Sequence, residues 1–129
     1  MLIIKTSMKI RIKGNSLRYR LTKTDVENFD RDGYLEETTN FGTHTFKYAL
    51  QRTMAEYLTA DFTNNTITLY MPAALALEWT STDRVGYENN SSEMYLLVEK
   101  DFKCLDNVAE DQSDNYPNPL VESFTKKKS

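Results

Sequence analysis

Five cations alternate near the front of this chain: Lys9, Arg11 and Lys13, then Arg18 and Arg20 after a short polar interruption. Cations at this spacing suit phosphate recognition. They release counterions from a nucleic acid and supply salt-dependent affinity. A two-stranded ribbon that carries them fits the major groove of DNA. The same pattern also describes a strand face turned to water, where charge deters edge-to-edge pairing. These five residues are the candidate nucleic-acid site, with the solvated face as the competing reading.

Other chemistry is thin. His44 and Cys104 are the single residues of their types, so a Cys/His zinc site of four ligands is excluded. A Cys104–His44 dyad would have to meet in space, and no third group that would orient it is identifiable. An inert thiol behind an apolar strand is the better reading of Cys104. Glu36 and Glu37 are adjacent, so on a strand they point to opposite faces and do not form a catalytic pair. No glycine-rich phosphate loop is present. Trp79 and Tyr87 could line a pocket, although a Trp four residues from Leu75 on a helix reads as core. No catalytic residue, metal set or cofactor is expected; a non-enzyme is the favoured reading, and an enzyme of unknown class would need Cys104 and His44 to face one cleft.

Asp106, Glu110, Asp111 and Asp114 precede Tyr116-Pro-Asn-Pro119. Four carboxylates so close suggest a hard cation, but the glycine-punctuated spacing of a calcium loop is missing. The segment reads instead as a tail able to fold back over the basic hairpin. Lys126 to Lys128 read as a solvated end.

The elements that must position these groups follow from periodicity. Met8, Ile10 and Ile12 alternate with the three cations, and Leu17, Tyr19 and Leu21 alternate with the two arginines. Period two marks half-buried strands. Gly14-Asn-Ser16 turns between them, which makes a hairpin with one apolar and one basic face. Thr22 or Thr24 caps a helix over Asp25–Arg31, with Val26 and Phe29 facing inward and Gly33 ending it. Extended segments near Tyr34–Phe41 and Thr45–Gln51 flank a turn at Gly42.

About fifty residues on, the order recurs. Leu58, Ala60 and Phe62 alternate, Asn64-Asn65 turns, and Ile67, Leu69 and Met71 alternate. Pro72 opens a helix over Ala73–Thr80, where a missing N–H costs nothing. Strands near Val85–Glu88 and Met94–Phe102 complete the half. Without a gap, Met8, Ile10 and Ile12 align with Leu58, Ala60 and Phe62. Leu17, Tyr19 and Leu21 align with Ile67, Leu69 and Met71, and Val26 and Phe29 with Ala76 and Trp79. The outer face of the second hairpin is not basic: it holds Thr59, Asp61, Thr63, Thr66, Thr68 and Tyr70. A symmetric DNA reader needs both hairpins basic.

The run Gly14-Asn-Ser-Leu-Arg-Tyr-Arg-Leu-Thr-Lys-Thr-Asp-Val-Glu27 resembles the start of AbrB/MazE-type swapped-hairpin domains. There a Gly-Asn-Ser turn leads into a strand ending Arg-hydrophobic-Pro and then a helix; the Pro position is Thr22 here and Pro72 in the second half. The resemblance implies a pseudo-dimer folded from one chain into a barrel, with DNA bound by hairpin arginines. The chain also resembles a small bacterial family of unassigned function, through Met8-Lys-Ile-Arg-Ile-Lys-Gly-Asn-Ser16, Glu99-Lys-Asp-Phe-Lys-Cys-Leu105 and Tyr116-Pro-Asn-Pro119.

The expected fold is α+β and mainly antiparallel: two ββαββ-like halves, 8–53 and 56–103, forming a pseudo-symmetric barrel-like core with two short helices. Residues 1–129 are read as one domain and 104–129 as its C-terminal tail. With 129 residues, 40% hydrophobic and 27% charged, the chain can bury a core without disulfides. One cysteine suits a reducing cytoplasm. No apolar run approaches the ~18 residues of a membrane span, and the opening five residues are too short for a signal peptide. Met8 reads as an alternative start. Net charge −3 means that anion binding must be local. Two functions are therefore expected: nucleic-acid binding or regulation through the basic hairpin, with DNA as partner, or a protein-protein interaction module. The second rests on the acidic segment, the tyrosines and the net charge.

Overall fold

The computed structural model describes residues 7–102. The first hairpin pairs β1 (Lys9–Lys13) with β2 (Ser16–Leu21). Gly14 turns it at φ +53°, a left-handed value that glycine adopts without steric cost. The second pairs β5 (Thr59–Thr63) with β6 (Thr66–Pro72). Asn64 and Asn65 both take positive φ, 55° and 60°, as a two-residue type I′ turn demands. Lys9 pairs with Arg20 in the first hairpin, and fifty residues on Thr59 pairs with Tyr70.

Helix α1 (Lys23–Asp32) starts from a capping box. Thr22 accepts from the Asp25 N–H, and the Asp25 carboxylate accepts from the Thr22 N–H at 3.1 Å and the Ser7 N–H at 3.0 Å. One buried carboxylate thus fixes the start of the helix and the chain entering β1. Gly33 closes the helix in the left-handed conformation, donating to the Phe29 carbonyl. Helix α2 (Ala73–Ser81) has no side-chain cap; Pro72 ends β6 and stands at its N-cap. The remaining strands are β3 (Tyr34–Asn40), β4 (Thr45–Thr53), β7 (Gly86–Asn89) and β8 (Tyr95–Lys100).

The strands form two four-stranded sheets, β1-β2-β8-β7 and β3-β4-β6-β5. Each sheet joins two antiparallel hairpins through a parallel central pair, β2–β8 in one and β4–β6 in the other. Each ββαββ run therefore gives its first hairpin to one sheet and its second to the other, and its helix carries the chain across. The hydrogen bonds that extend the central pairs also correspond. Tyr95 N–H donates to the Asn15 carbonyl at 3.1 Å, and Lys47 N–H donates to the Asn65 carbonyl at 3.0 Å. The expected α+β class with two helices holds. The two sheets are not closed by hydrogen bonds into a barrel, and the central pairs are parallel. Apolar periodicity marks which face a strand buries, not which strand lies beside it.

One apolar core lies between the sheets and under the helices. Tyr19, Leu21, Phe29, Leu50, Leu69, Met71, Trp79 and Val98 are fully buried in it. Tyr19 meets Tyr48 edge-on at 5.9 Å, and Phe29 meets Trp79 edge-on at 6.2 Å where the helices touch. Trp79 Nε1 donates to the Val85 carbonyl, which makes this Trp a core residue rather than a pocket wall. Core tyrosines also tie the sheets together. Tyr19 donates to the Ile67 carbonyl and Tyr48 to the Met8 carbonyl.

Three aligned positions are corrected. Ile12 is 54% exposed and Phe62 65% exposed, and Ala60 is exposed as well, so none of them belongs to the core. Ile12 and Phe62 sit one rung before the turn-closing pairs of their hairpins, Ile12 opposite Leu17 and Phe62 opposite Ile67. Both lie on edge strands, β1 and β5, while Leu17 on the adjoining inner strand is buried at the same rung.

Burial pushes the Tyr19 phenol far above its ordinary value of 10.0. Its folded pKa is therefore above its unfolded one, so its contribution is complete below pH 10.0 and declines as the pH rises beyond it. Tyr19→Phe is expected to cost about 1 kcal/mol near neutral pH, from the lost Ile67 hydrogen bond. It should also shrink the alkaline loss of stability. Urea unfolding of both proteins at about pH 8 and about pH 11 checks this, and equal alkaline losses would contradict it.

Candidate functional site

The antiparallel register places Lys9 opposite Arg20, Arg11 opposite Arg18 and Lys13 opposite Ser16. All five candidate cations therefore share the outer face of one sheet. Like charges directly opposed repel. The neighbouring strand answers that repulsion. Glu99 of β8 is the register partner of Arg20 and takes both arginines on one oxygen: Arg18 Nε at 2.7 Å and Arg20 Nε at 2.9 Å. Lys9 Nζ lies 3.0 Å from Asp101, just past the end of β8. Arg11 and Lys13, toward the turn, make no ion pair among the described residues. The structure thus brings the five cations together and neutralises three of them with carboxylates eighty to ninety positions away.

The outer face of the second sheet has a different character. Thr59, Asp61, Thr63, Thr66, Thr68 and Tyr70 lie on it beside Lys47 and Gln51 of β4. Asp61 accepts from Thr63, and Lys47 pairs with Glu36 at 3.5 Å. The two hairpins share a register but not a surface chemistry.

Between the two hairpin tips the core opens into an apolar mouth of about 400 Å³. Its walls are Ile12, Leu17, Phe46, Phe62, Ile67 and Met94, and Asp61 is the charged residue in its lining. Four of these are corresponding positions of the two hairpins, Ile12 with Phe62 and Leu17 with Ile67. Sequence reasoning missed this site because period two assigns Ile12 and Phe62 to the core. The available signal was their position, two residues before Gly14 and Asn64 respectively. An edge strand near its turn has a neighbour on one side alone, so one rung can bury Leu17 on the inner strand and leave Ile12 in water.

A second hollow of about 420 Å³ lies among Leu21, Lys23, Val26, Glu27, Thr80 and Phe102. The charged groups at and just past the end of β8 are engaged, Lys100 with the Thr82 carbonyl and Asp101 with Lys9. His44 lies in the β3–β4 loop, where its carbonyl accepts from Phe41 N–H. Cys104, the acidic residues Asp106, Glu110, Asp111 and Asp114, and Tyr116-Pro-Asn-Pro119 lie outside the described residues. Burial, followed by the Glu36 carboxylate, pushes the Tyr34 phenol up to about 12. Burial and Glu78 do the same for Tyr87, also to about 12. Neither phenol is poised for proton transfer near neutrality. Among the described residues, no group of three or more His, Cys, Asp or Glu is placed to hold a metal ion. No described helix is long and apolar enough to cross a membrane.

Glu99 is one-sixth exposed and Arg18 under a third, so their pair is partly shielded from water. A double-mutant cycle with Arg18→Ala and Glu99→Ala is expected to give a coupling of about 1 kcal/mol that shrinks with added salt. Denaturant unfolding of the four proteins checks it, and a coupling indistinguishable from zero would make the bridge energetically idle.

DUF7009, a family of unknown function, matches residues 8–120, and the chain belongs to it. No curated protein matches the chain. No solved structure matches it either.

Proposed function

We propose that this chain is a non-enzymatic protein-interaction module whose partner inserts an apolar side chain into the mouth between the hairpin tips. The observation that carries the reading is the exposure of Ile12 and Phe62 beside a cavity of about 400 Å³. Leaving large apolar side chains in water at both tips forfeits burial worth about 1.5–3 kcal/mol for each one. Contiguous exposed apolar surface is a mark of binding surfaces. The mouth has the anatomy of a hot spot: an apolar floor of Leu17 and Ile67 within a wall of Ile12, Phe46, Phe62 and Met94. It offers little to a small polar substrate, since its one charged group, Asp61, already accepts from Thr63 and the rest of the lining is apolar.

The experiment is selection from a random peptide library, with the winners titrated against the chain and an Ile12→Asp/Phe62→Asp variant. Because both residues are exposed, the variant should keep its melting temperature within a few degrees. Peptides with an apolar anchor are expected to bind the chain and to lose roughly tenfold or more in affinity for the variant. Peptides that bind both proteins equally well would remove the mouth from the account.

Arg11 and Lys13, without an ion pair among the described residues, favour a second reading in which the basic face holds a nucleic acid. With three of its five cations bridged, such a face would bind weakly and with strong salt dependence. Glu99→Gln would release Arg18 and Arg20, and is expected to raise affinity for mixed-sequence duplex DNA at low salt. Arg11→Glu/Lys13→Glu should abolish it. No binding by the chain or by Glu99→Gln at low salt would end this reading.

A further inference from the structure

We propose that the acidic segment Asp106–Asp114 of this same chain is the ligand of the turn-side end of the basic hairpin, where it pairs with Arg11 and Lys13. The basic face is already neutralised in order from the C-terminal side of the chain. Glu99 takes Arg18 and Arg20, and Asp101, two positions on, takes Lys9. Arg11 and Lys13 make no ion pair among the described residues, and they lie farther along β1 toward the turn. The next carboxylates in the chain are Asp106, Glu110, Asp111 and Asp114, with a single cation, Lys103, among residues 103–114. The sign and the order of these charges suit the part of the face that makes no ion pair among the described residues.

The reach is sufficient. Asp101 is anchored at the edge of the face, by its N–H to the Leu21 carbonyl at 2.7 Å and by its carboxylate to Lys9. Residues Lys9 to Lys13 of an extended strand span roughly 13 Å at ~3.3 Å per residue. Five residues of chain after Asp101 cover up to ~17 Å. Asp106 can therefore reach the neighbourhood of Arg11, and the acids after it have chain to spare for Lys13. The tether itself helps. Individually screened pairs at an exposed face are weak, but linkage of the two partners in one chain gives effective concentrations in the millimolar range. The family match extends past Phe102 to residue 120, so the segment lies within the span that defines the family. This pairing is independent of the apolar mouth, which faces the other side of β1.

A zero-length carbodiimide, which joins a lysine amine to a carboxylate in contact with it, tests the pairing on the full-length chain. Peptide mass mapping is expected to find Lys13 joined to Asp106, Glu110, Asp111 or Asp114, beside the Lys9–Asp101 link that serves as a control. The Arg11→Lys variant supplies a second amine and should add its own link to the same segment. Both segment links should fall roughly tenfold as ionic strength is raised, as a screened contact requires. A 1:1 mixture of isotopically heavy and light chains separates links within one chain from links between copies. A Lys9–Asp101 link without any from positions 11 or 13 would overturn the proposal. So would segment links that reach only the adjacent Lys100 or Lys103, or links found only between heavy and light copies.

Discussion

The fold depends on the parallel pairing at the centre of each sheet. An isolated two-stranded hairpin is marginal in water. Here four hairpins become two sheets only because β2 pairs with β8 and β4 with β6. The β2–β8 ladder joins Ser16 to Tyr95 and Leu21 to Lys100, so the first sheet is incomplete until nearly the whole described chain is in place. Such distant pairing demands loop closure before contacts reward it, which favours slow, cooperative folding. The two sheets also share one core, with Tyr19 and Tyr48 bonded across it, so neither is a unit by itself.

The same pairing sets the electrostatics. Glu99 reaches Arg18 and Arg20 because the parallel register puts it beside Arg20. A basic hairpin in isolation would be a ribbon of five cations. In the folded sheet it is a mixed face, and among the described residues the cations toward the turn make no ion pair. The apolar mouth has an analogous origin. Ile12 and Phe62 stand near the turns on the edge strands β1 and β5, and the core opens to solvent beside them.

Most elements were legible in the chain. Alternation located β1, β2, β5 and β6, and the Gly14-Asn15 and Asn64-Asn65 turns located their bends. Thr22 and Gly33 marked the ends of α1, whose capping box extends it to Lys23–Asp32. The candidate site was legible only in part. The five cations were correctly placed on one face, because side-chain direction in a paired strand follows from parity alone. Their neutralisation was not visible, since nothing local in Glu99-Lys-Asp101 announces a partner near residue 18.

What the sequence determined by itself was local: strand faces, turn positions, helix caps and the like register of two hairpins fifty residues apart. These depend on backbone preferences and on solvent contrast within a few residues. Tertiary structure alone decided which hairpins share a sheet, that the central pairs are parallel, that the sheets stay unclosed, and that Ile12 and Phe62 face water. Each of those outcomes is a competition among distant segments for the same strand edge or the same apolar surface, and periodicity carries no information about which competitor wins.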